Sequence, residues 1–117
     1  MTLNESFPEV WNAIETKSIS KSKINEYLLN VLLEIIEDIK QNKRNELDIG
    51  DIFGLAIQHA EGAKEYKLTP EVEDFFCKLG SYKDDPFNSG EYNPEDTPEK
   101  VEKEAKKLLE SIKVNSN

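Results

Sequence analysis

The sequence of 117 residues is poor in the residue types on which many enzymes and metal sites depend. It contains one cysteine, Cys77, and one histidine, His59. A single cysteine excludes an internal disulfide and a multi-cysteine zinc site. The sequence also lacks a glycine-rich phosphate loop, a Walker lysine and the H-E-x-x-H and G-x-S-x-G motifs. We therefore expect no catalysis, no bound metal and no cofactor.

The sequence also lacks an apolar run long enough to cross a membrane. The longest candidate, YLLNVLLEIIEDI, is interrupted by Asn30, Glu34, Glu37 and Asp38. The first ten residues are polar and show neither the basic nor the apolar region of a secretory leader. We therefore expect a cytoplasmic protein, and the single cysteine agrees with a reducing compartment.

What the sequence does contain is helical periodicity. Apolar residues recur at spacings of three and four, and no segment shows the alternation of a strand or a heptad run long enough for an extended coiled coil. The strongest helix is predicted over 23–41, and others over 8–16, 48–66, 69–80 and 97–113. The sequence therefore predicts a single all-α domain over 1–117, a compact four- or five-helix bundle with one long acidic connection. Residues 114–117 are expected to form a frayed tail.

Several residues mark the helix starts or a close helix contact. Ser, Asp and Thr side chains accept hydrogen bonds from the first backbone amides of a helix. On this basis we predict caps at Ser22, Asp48, Thr69 and Thr97. Gly50 and Gly54 cost a helix about 1 kcal/mol each relative to alanine. Their presence predicts that a neighbouring helix backbone approaches closely.

Negative charge is concentrated in one part of the chain. The net charge is −9, and residues 71–99 contribute −7 of it through nine carboxylates and two lysines. Such a surface repels nucleic acid and anionic membranes, and it attracts a basic partner by electrostatic steering. The alternative is a solvated face that serves only solubility.

The acidic segment SYKDDPFNSGEYNPEDTPE, residues 81–99, combines six carboxylates with three aromatic rings. Long connections between helices are often functional. Rings beside carboxylates suit the anchoring of a positively charged protein partner. We predict that the partner-binding residues are Tyr82, Asp84, Asp85, Phe87, Glu91, Tyr92, Glu95 and Asp96. In the alternative, the three rings fold back as lids on the bundle.

Other patterns point less well to chemistry. Cys77 and His59 form the one possible nucleophile and base pair, but the neighbours of Cys77 predict a buried thiol with a raised pKa. His59 is expected to be a half-exposed helix residue. Residues 85–96 imitate a calcium loop, yet Phe87 and Ser89 stand where oxygen ligands are needed. Adjacent carboxylates in a polar loop have no burial to separate their pKa values, so acid–base catalysis is not expected.

Three consecutive stretches of the sequence carry a family resemblance: LTPEVEDFFCKL, then DDPFNSGEYNPED, then KVEKEAKKLLESIK. Over residues 68–113 this order resembles the colicin D-type immunity proteins, small cytoplasmic helical proteins that neutralise ribonuclease toxins attacking transfer RNA. The resemblance implies a helical bundle whose acidic side chains fill the toxin's basic RNA-binding cleft. The implied contacts are Asp84, Asp85, Glu91, Tyr92, Glu95 and Asp96.

The sequence thus favours a cytoplasmic immunity or inhibitor protein that binds a basic nuclease toxin, with a ribonuclease favoured. A phage-encoded nucleic-acid mimic would work in the same way on a different partner. A structural or scaffolding helical module is the third reading, with a homodimer formed through Leu29 and Leu33. We expect a monomer or weak homodimer that contacts neither nucleic acid nor a membrane directly.

Overall fold

The computed structural model describes residues 3–82 and 97–115, and these form an all-α globule, as predicted. Within the described residues there are six helices and no strands. The helices are α1 (Leu3–Ser6), α2 (Pro8–Glu15), α3 (Ile24–Lys40), α4 (residues 48–63), α5 (Pro70–Leu79) and α6 (Pro98–Asn115). None of these six combines the length and the apolar character that crossing a lipid bilayer requires.

The strongest apolar stripe of the sequence forms α3 and supplies a large part of the core. Its buried residues recur every three or four positions, which places them on one face of the helix. They are Ile24, Leu28, Leu29, Val31, Leu32, Ile35 and Ile36. Leu29 is fully buried and Leu33 is half-buried. The prediction that Leu29 lies on a homodimer surface is therefore wrong, because its side chain packs inside the chain's own core.

The predicted starts of α5 and α6 are confirmed. Thr69 Oγ1 accepts a hydrogen bond of 3.4 Å from the Val72 amide. Thr97 Oγ1 accepts one of 3.2 Å from the Lys100 amide. In both helices a proline follows the threonine, and proline suits the first helical position because the amide it lacks has no partner there.

The starts of α3 and α4 differ from the prediction. The hydroxyl of Ser22 does not cap α3 and lies 3.3 Å from that of Ser20. α4 begins at Asp48 itself, with Leu47 in the cap position. The Asp48 carboxylate accepts a hydrogen bond of 3.4 Å from Arg44 Nη1. In both places a polar partner close in the sequence competes with the backbone for the side chain.

α4 changes its hydrogen bonding along its length. Its first part, Asp48–Phe53, is α-helical, and its second part, Gly54–Ala63, is π-helical. A π-helix bonds each amide to the carbonyl five residues before it. This conformation is rare in proteins, and where it occurs it is often found at functional sites. The buried side of the π-helical part contains Gly54, Leu55, Ala56, His59 and Ala60.

The two glycines of α4 face different kinds of neighbour. A β-carbon added at Gly50 would lie 3.5 Å from the Leu79 carbonyl oxygen of α5, an ordinary contact. A β-carbon added at Gly54 would lie 2.8 Å from Leu3 Cδ1 of α1. The expected approach of a helix backbone is found at Gly50. At Gly54 a side chain fills the space instead.

α6 closes the fold by packing on α3. Lys40 Nζ of α3 lies 2.8 Å and 2.9 Å from the two carboxylate oxygens of Glu102 on α6. This hydrogen-bonded ion pair raises the pKa of Lys40. α6 continues through Asn115, so residues 114 and 115 belong to the helix and not to the expected tail. Residues 116–117 lie outside the described residues.

Candidate partner-binding site

The predicted partner-binding residues belong to the connection between α5 and α6. Seven of the eight lie outside the described residues: Asp84, Asp85, Phe87, Glu91, Tyr92, Glu95 and Asp96. The structure describes Tyr82 and the two points at which the connection joins the helical body. At these two points the connection is attached to the helical body.

Tyr82 belongs to the core. Only 5% of its surface is exposed, and its hydroxyl donates a hydrogen bond of 2.6 Å to Glu46 Oε1. Its amide donates to the Leu79 carbonyl at 3.1 Å, which closes a turn after α5. A ring in this position has little surface to offer a partner. The structure therefore corrects the assignment of Tyr82 as a partner contact and makes it the anchor at one end of the connection.

Thr97 anchors the other end. Besides its side-chain cap, its carbonyl oxygen accepts a hydrogen bond of 3.1 Å from the Val101 amide. Val101 is itself buried, so the first turn of α6 is fixed against the core. The connection 83–96, with its five carboxylates and one lysine, thus starts and ends at positions held by the helical body.

A cleft of about 260 Å³ lies between the end of α5 and the start of α6. Its lining includes Tyr82 and Val101, and two lysines, Lys78 and Lys100, also face it. Lysines at this place offer ion-pairing partners to carboxylates of the connection. Carboxylates paired in this way would not be available to a basic partner. An experiment on the acidic segment has to separate these two uses.

His59 is buried, whereas its sequence neighbours predicted a half-exposed side chain. It is 7% exposed, and its ring stacks on Trp11 with centroids 3.7 Å apart. His59 Nε2 lies 3.2 Å from Glu15 Oε1 without the alignment of a hydrogen bond, and it has no other partner among the described residues. Lys64 Nζ lies 3.0 Å from the other oxygen of Glu15. Burial lowers the pKa of His59, Glu15 opposes this shift, and Lys64 adds to it.

Cys77 is exposed, which corrects the prediction of a buried thiol. The buried face of α5 is formed by Val72, Phe75, Phe76 and Leu79. The expected direction of the pKa is found. Partial desolvation raises the pKa of Cys77, and the carboxylates of Glu73, Glu61 and Asp74 raise it further. A raised pKa leaves less of the reactive thiolate at neutral pH.

Acidic side chains also meet between α4 and α5. Partial burial raises the pKa of Glu61, and the adjacent carboxyl group of Glu73 raises it further through a hydrogen bond and like charge. In the ranges 3–82 and 97–115, no three His, Cys, Asp or Glu side chains are grouped to hold a metal ion. The calcium-like stretch 85–96 lies outside those ranges.

No family model, no curated protein and no solved structure matches this chain. The resemblance of residues 68–113 to colicin D-type immunity proteins is therefore an inference from the sequence pattern.

Proposed function

We propose that the protein is a cytoplasmic inhibitor that binds a basic nuclease toxin domain, a ribonuclease in the favoured case. The observation that carries the proposal is the charge distribution, since residues 71–99 contribute −7 of the net charge of −9. The carboxylates expected to bind are Asp84, Asp85, Glu91, Glu95 and Asp96, with Phe87 and Tyr92 as anchoring rings. They stand between Tyr82 and Thr97, which are both fixed to the helical body.

The inhibitor acts by occupying a site built for nucleic acid. A nuclease cleft attracts phosphates with lysines and arginines, and carboxylates held on a rigid base present charge of the same sign. Opposite charges speed the encounter of the two proteins, and salt screens this effect over about 8–10 Å. Inhibition follows because the cleft that would hold RNA is covered.

The first test uses the protein encoded directly upstream, if it ends in a small basic domain. This domain is co-expressed with the chain, and the two are expected to copurify. The isolated domain is expected to cleave RNA, and adding the chain is expected to stop the cleavage. Failure to copurify, or cleavage that continues at saturating concentrations of the chain, would contradict the proposal.

A charge variant then tests the connection itself. Asp84→Asn, Asp85→Asn, Glu95→Gln and Asp96→Asn are combined, and association is followed by stopped flow at low and high salt. We expect an association rate at least about tenfold lower at low salt, with a smaller difference at high salt. The matched control neutralises four exposed carboxylates that lie outside both the connection and the cleft: Glu5, Glu37, Glu65 and Glu110. Equal effects of the two variants would show that only net charge matters.

Neutralising the two lysines of the cleft is expected to change the association rate in the opposite direction. If Lys78 and Lys100 hold the carboxylates of the connection, Lys78→Gln with Lys100→Gln releases these carboxylates. The association rate is then expected to rise by more than it does with Lys106→Gln and Lys107→Gln, two exposed lysines of α6 outside the cleft's lining. An equal rise with both pairs would show that the connection is not held by the cleft.

The two other readings have their own outcomes. A nucleic-acid mimic differs only in the partner, so capture of a basic DNA-binding protein in place of a nuclease would favour it. A scaffolding homodimer has less support, because among the described residues the one large apolar side chain classed as exposed is Leu47. Sedimentation at micromolar concentration is expected to show a monomer.

A further inference from the structure

A groove of about 320 Å³ lies between the start of α2 and the middle of α3. Its floor is apolar and is formed by Phe7, Val10, Val31 and Ile35. Its rim carries three carboxylates: Glu9, Glu34 and Asp38. An apolar floor below a negative rim suits a side chain that has an apolar stem and a cationic head.

Two of the rim carboxylates have no ion-pair or hydrogen-bond partner among the described residues, and both influence the same tyrosine. Glu9 on α2 and Glu34 on α3 are exposed, and within the described part of the chain neither forms an ion pair or a hydrogen bond. Partial burial raises the pKa of Tyr27, and the charges of Glu34 and Glu9 raise it further. The two carboxylates come from different helices but line the same groove.

The other end of the groove holds a guanidinium group of the chain itself. Arg44 Cζ lies 4.9 Å from the centroid of the Phe7 ring. Its Nε is 3.9 Å from Asp38 Oδ2, and its Nη1 is 3.4 Å from Asp48 Oδ2. A planar cation over an aromatic floor and between carboxylates is a favourable arrangement. Arg44 thus shows that this surface can hold a guanidinium group against an aromatic ring and carboxylates.

We propose that the part of the groove beside Glu9 and Glu34 binds an arginine side chain of a basic protein partner. The stem lies on Val10 and Val31, and the guanidinium group lies between Glu9 and Glu34. Arginine fits better than lysine, because its planar head is more weakly hydrated and can bond two carboxylates in fixed directions. The inference rests on the proposed function, since the groove is a second contact for the same basic partner.

The test uses N-acetyl-arginine amide as the probe and the full chain labelled for NMR. We expect saturable shift changes at the methyl groups of Val10 and Val31. N-acetyl-citrulline amide has nearly the same shape without the charge and is expected to give no saturable change. N-acetyl-lysine amide is expected to bind more weakly than the arginine probe. Equal binding of the citrulline and arginine probes would overturn the inference, because the rim charges would then have no role.

A pair of variants on α3 locates the site. Glu34→Gln is expected to weaken binding of the arginine probe about tenfold, because a charge-assisted contact is lost. Glu37→Gln removes the same charge from an exposed position of α3 outside the groove and is expected to change nothing. The inference fails if the two variants weaken binding equally, or if the wild type shows no saturable change at these methyl groups.

The basic nuclease domain separates this inference from the proposed function. If the domain binds wild type and Glu34→Gln with the same affinity, the proposed function stands and the role of the groove is overturned. If the arginine probe binds in the groove but no basic protein associates with the chain, the arginine site stands and the proposed function is overturned. Loss of affinity with Glu34→Gln but not with Glu37→Gln supports both.

Discussion

The imidazole ring of His59 lies face to face with the indole ring of Trp11, with the planes 2° apart and the centroids 3.7 Å apart. This stack joins the π-helical part of α4 to α2 and covers a titratable ring. Glu15 lies close to the same imidazole, but the contact does not satisfy the ring nitrogen as a hydrogen bond. Burial therefore favours the neutral form of His59, and Glu15 opposes this effect.

The first prediction is that the free energy of unfolding decreases as the pH falls below about 6.5, the ordinary pKa of histidine. Burial lowers the pKa of folded His59. Between that lowered value and 6.5, the unfolded chain binds more protons than the folded chain, so acid favours unfolding. Urea unfolding followed by Trp11 fluorescence measures the loss, and NMR titration of the chain's single histidine measures the pKa directly.

The control for this pH dependence is His59→Gln, which removes the titrating ring. Asp51 and Glu61 have raised pKa values when folded. They therefore act with the opposite sign and stabilise the fold as the pH falls through the acidic range. Both groups are present in the wild type and in the variant, so the difference between the two stability curves isolates His59. Parallel curves from pH 5 to pH 8 would contradict the prediction.

The second prediction concerns the anchor at Tyr82. Tyr82→Phe removes the hydroxyl that donates to Glu46, and we expect a loss of about 1–2 kcal/mol in the free energy of unfolding. The matched control is Tyr66→Phe, which removes a 2.8 Å hydrogen bond to the Ile19 carbonyl and is expected to cost about 1 kcal/mol. Urea denaturation measures both.

The same variant tests the role of Tyr82 in binding. Because the ring lies in the core, Tyr82→Phe is expected to leave the affinity for the basic partner unchanged. Phe87→Ala is the comparison, since Phe87 is a proposed anchoring ring, and we expect it to weaken the complex. A large loss of affinity with Tyr82→Phe at unchanged stability would show that its hydroxyl contacts the partner.

The third prediction contrasts the glycines of α4. Gly50→Ala is expected to raise the free energy of unfolding by about 0.5–1 kcal/mol, because alanine favours the helix and its β-carbon meets only an ordinary contact. Gly54→Ala is expected to gain less, because Leu3 has to move. Thermal unfolding of both variants is compared with that of Gly54→Ala in a Leu3→Ala background, where the clash is absent. The contact with Leu3 would be contradicted if Gly54→Ala raised the free energy of unfolding more in the wild-type background than in the Leu3→Ala background.

The fourth prediction concerns the thiol of Cys77. Glu73→Gln removes the largest carboxylate influence on Cys77, so the pKa of Cys77 is expected to fall. The rate of alkylation by iodoacetamide as a function of pH measures it, since the chain has one cysteine. Glu71→Gln, on the same helix, is expected to leave the profile unchanged. An unshifted profile with Glu73→Gln would mean that desolvation alone sets the pKa.

The helices could be predicted wherever their signals are local. The apolar stripe of α3 and the threonine–proline starts of α5 and α6 each depend on a few neighbouring residues, and the structure agrees with these predictions. The caps at Ser22 and Asp48 were wrong because Ser20 and Arg44 compete for the same side chains. Propensity alone does not decide between such partners.

Burial and the groove could not be predicted because they depend on distant parts of the chain. His59 is covered by Trp11, and Leu29 is enclosed by the other helices. Glu9 and Glu34 come to line one groove only once α2 and α3 have folded into the globule. The π-helical part of α4 was not predicted either, because apolar spacings of three and four indicate a helix without distinguishing its hydrogen-bond pattern.

The position of Arg44 also has a consequence for self-association. It is the chain's one arginine, and its guanidinium group is already held against Phe7 and two carboxylates. A second copy of the protein therefore has no spare guanidinium group to place in its neighbour's groove. At high concentration, copies of this molecule are therefore expected to compete for that groove only through their lysines, which bind it more weakly than arginine does.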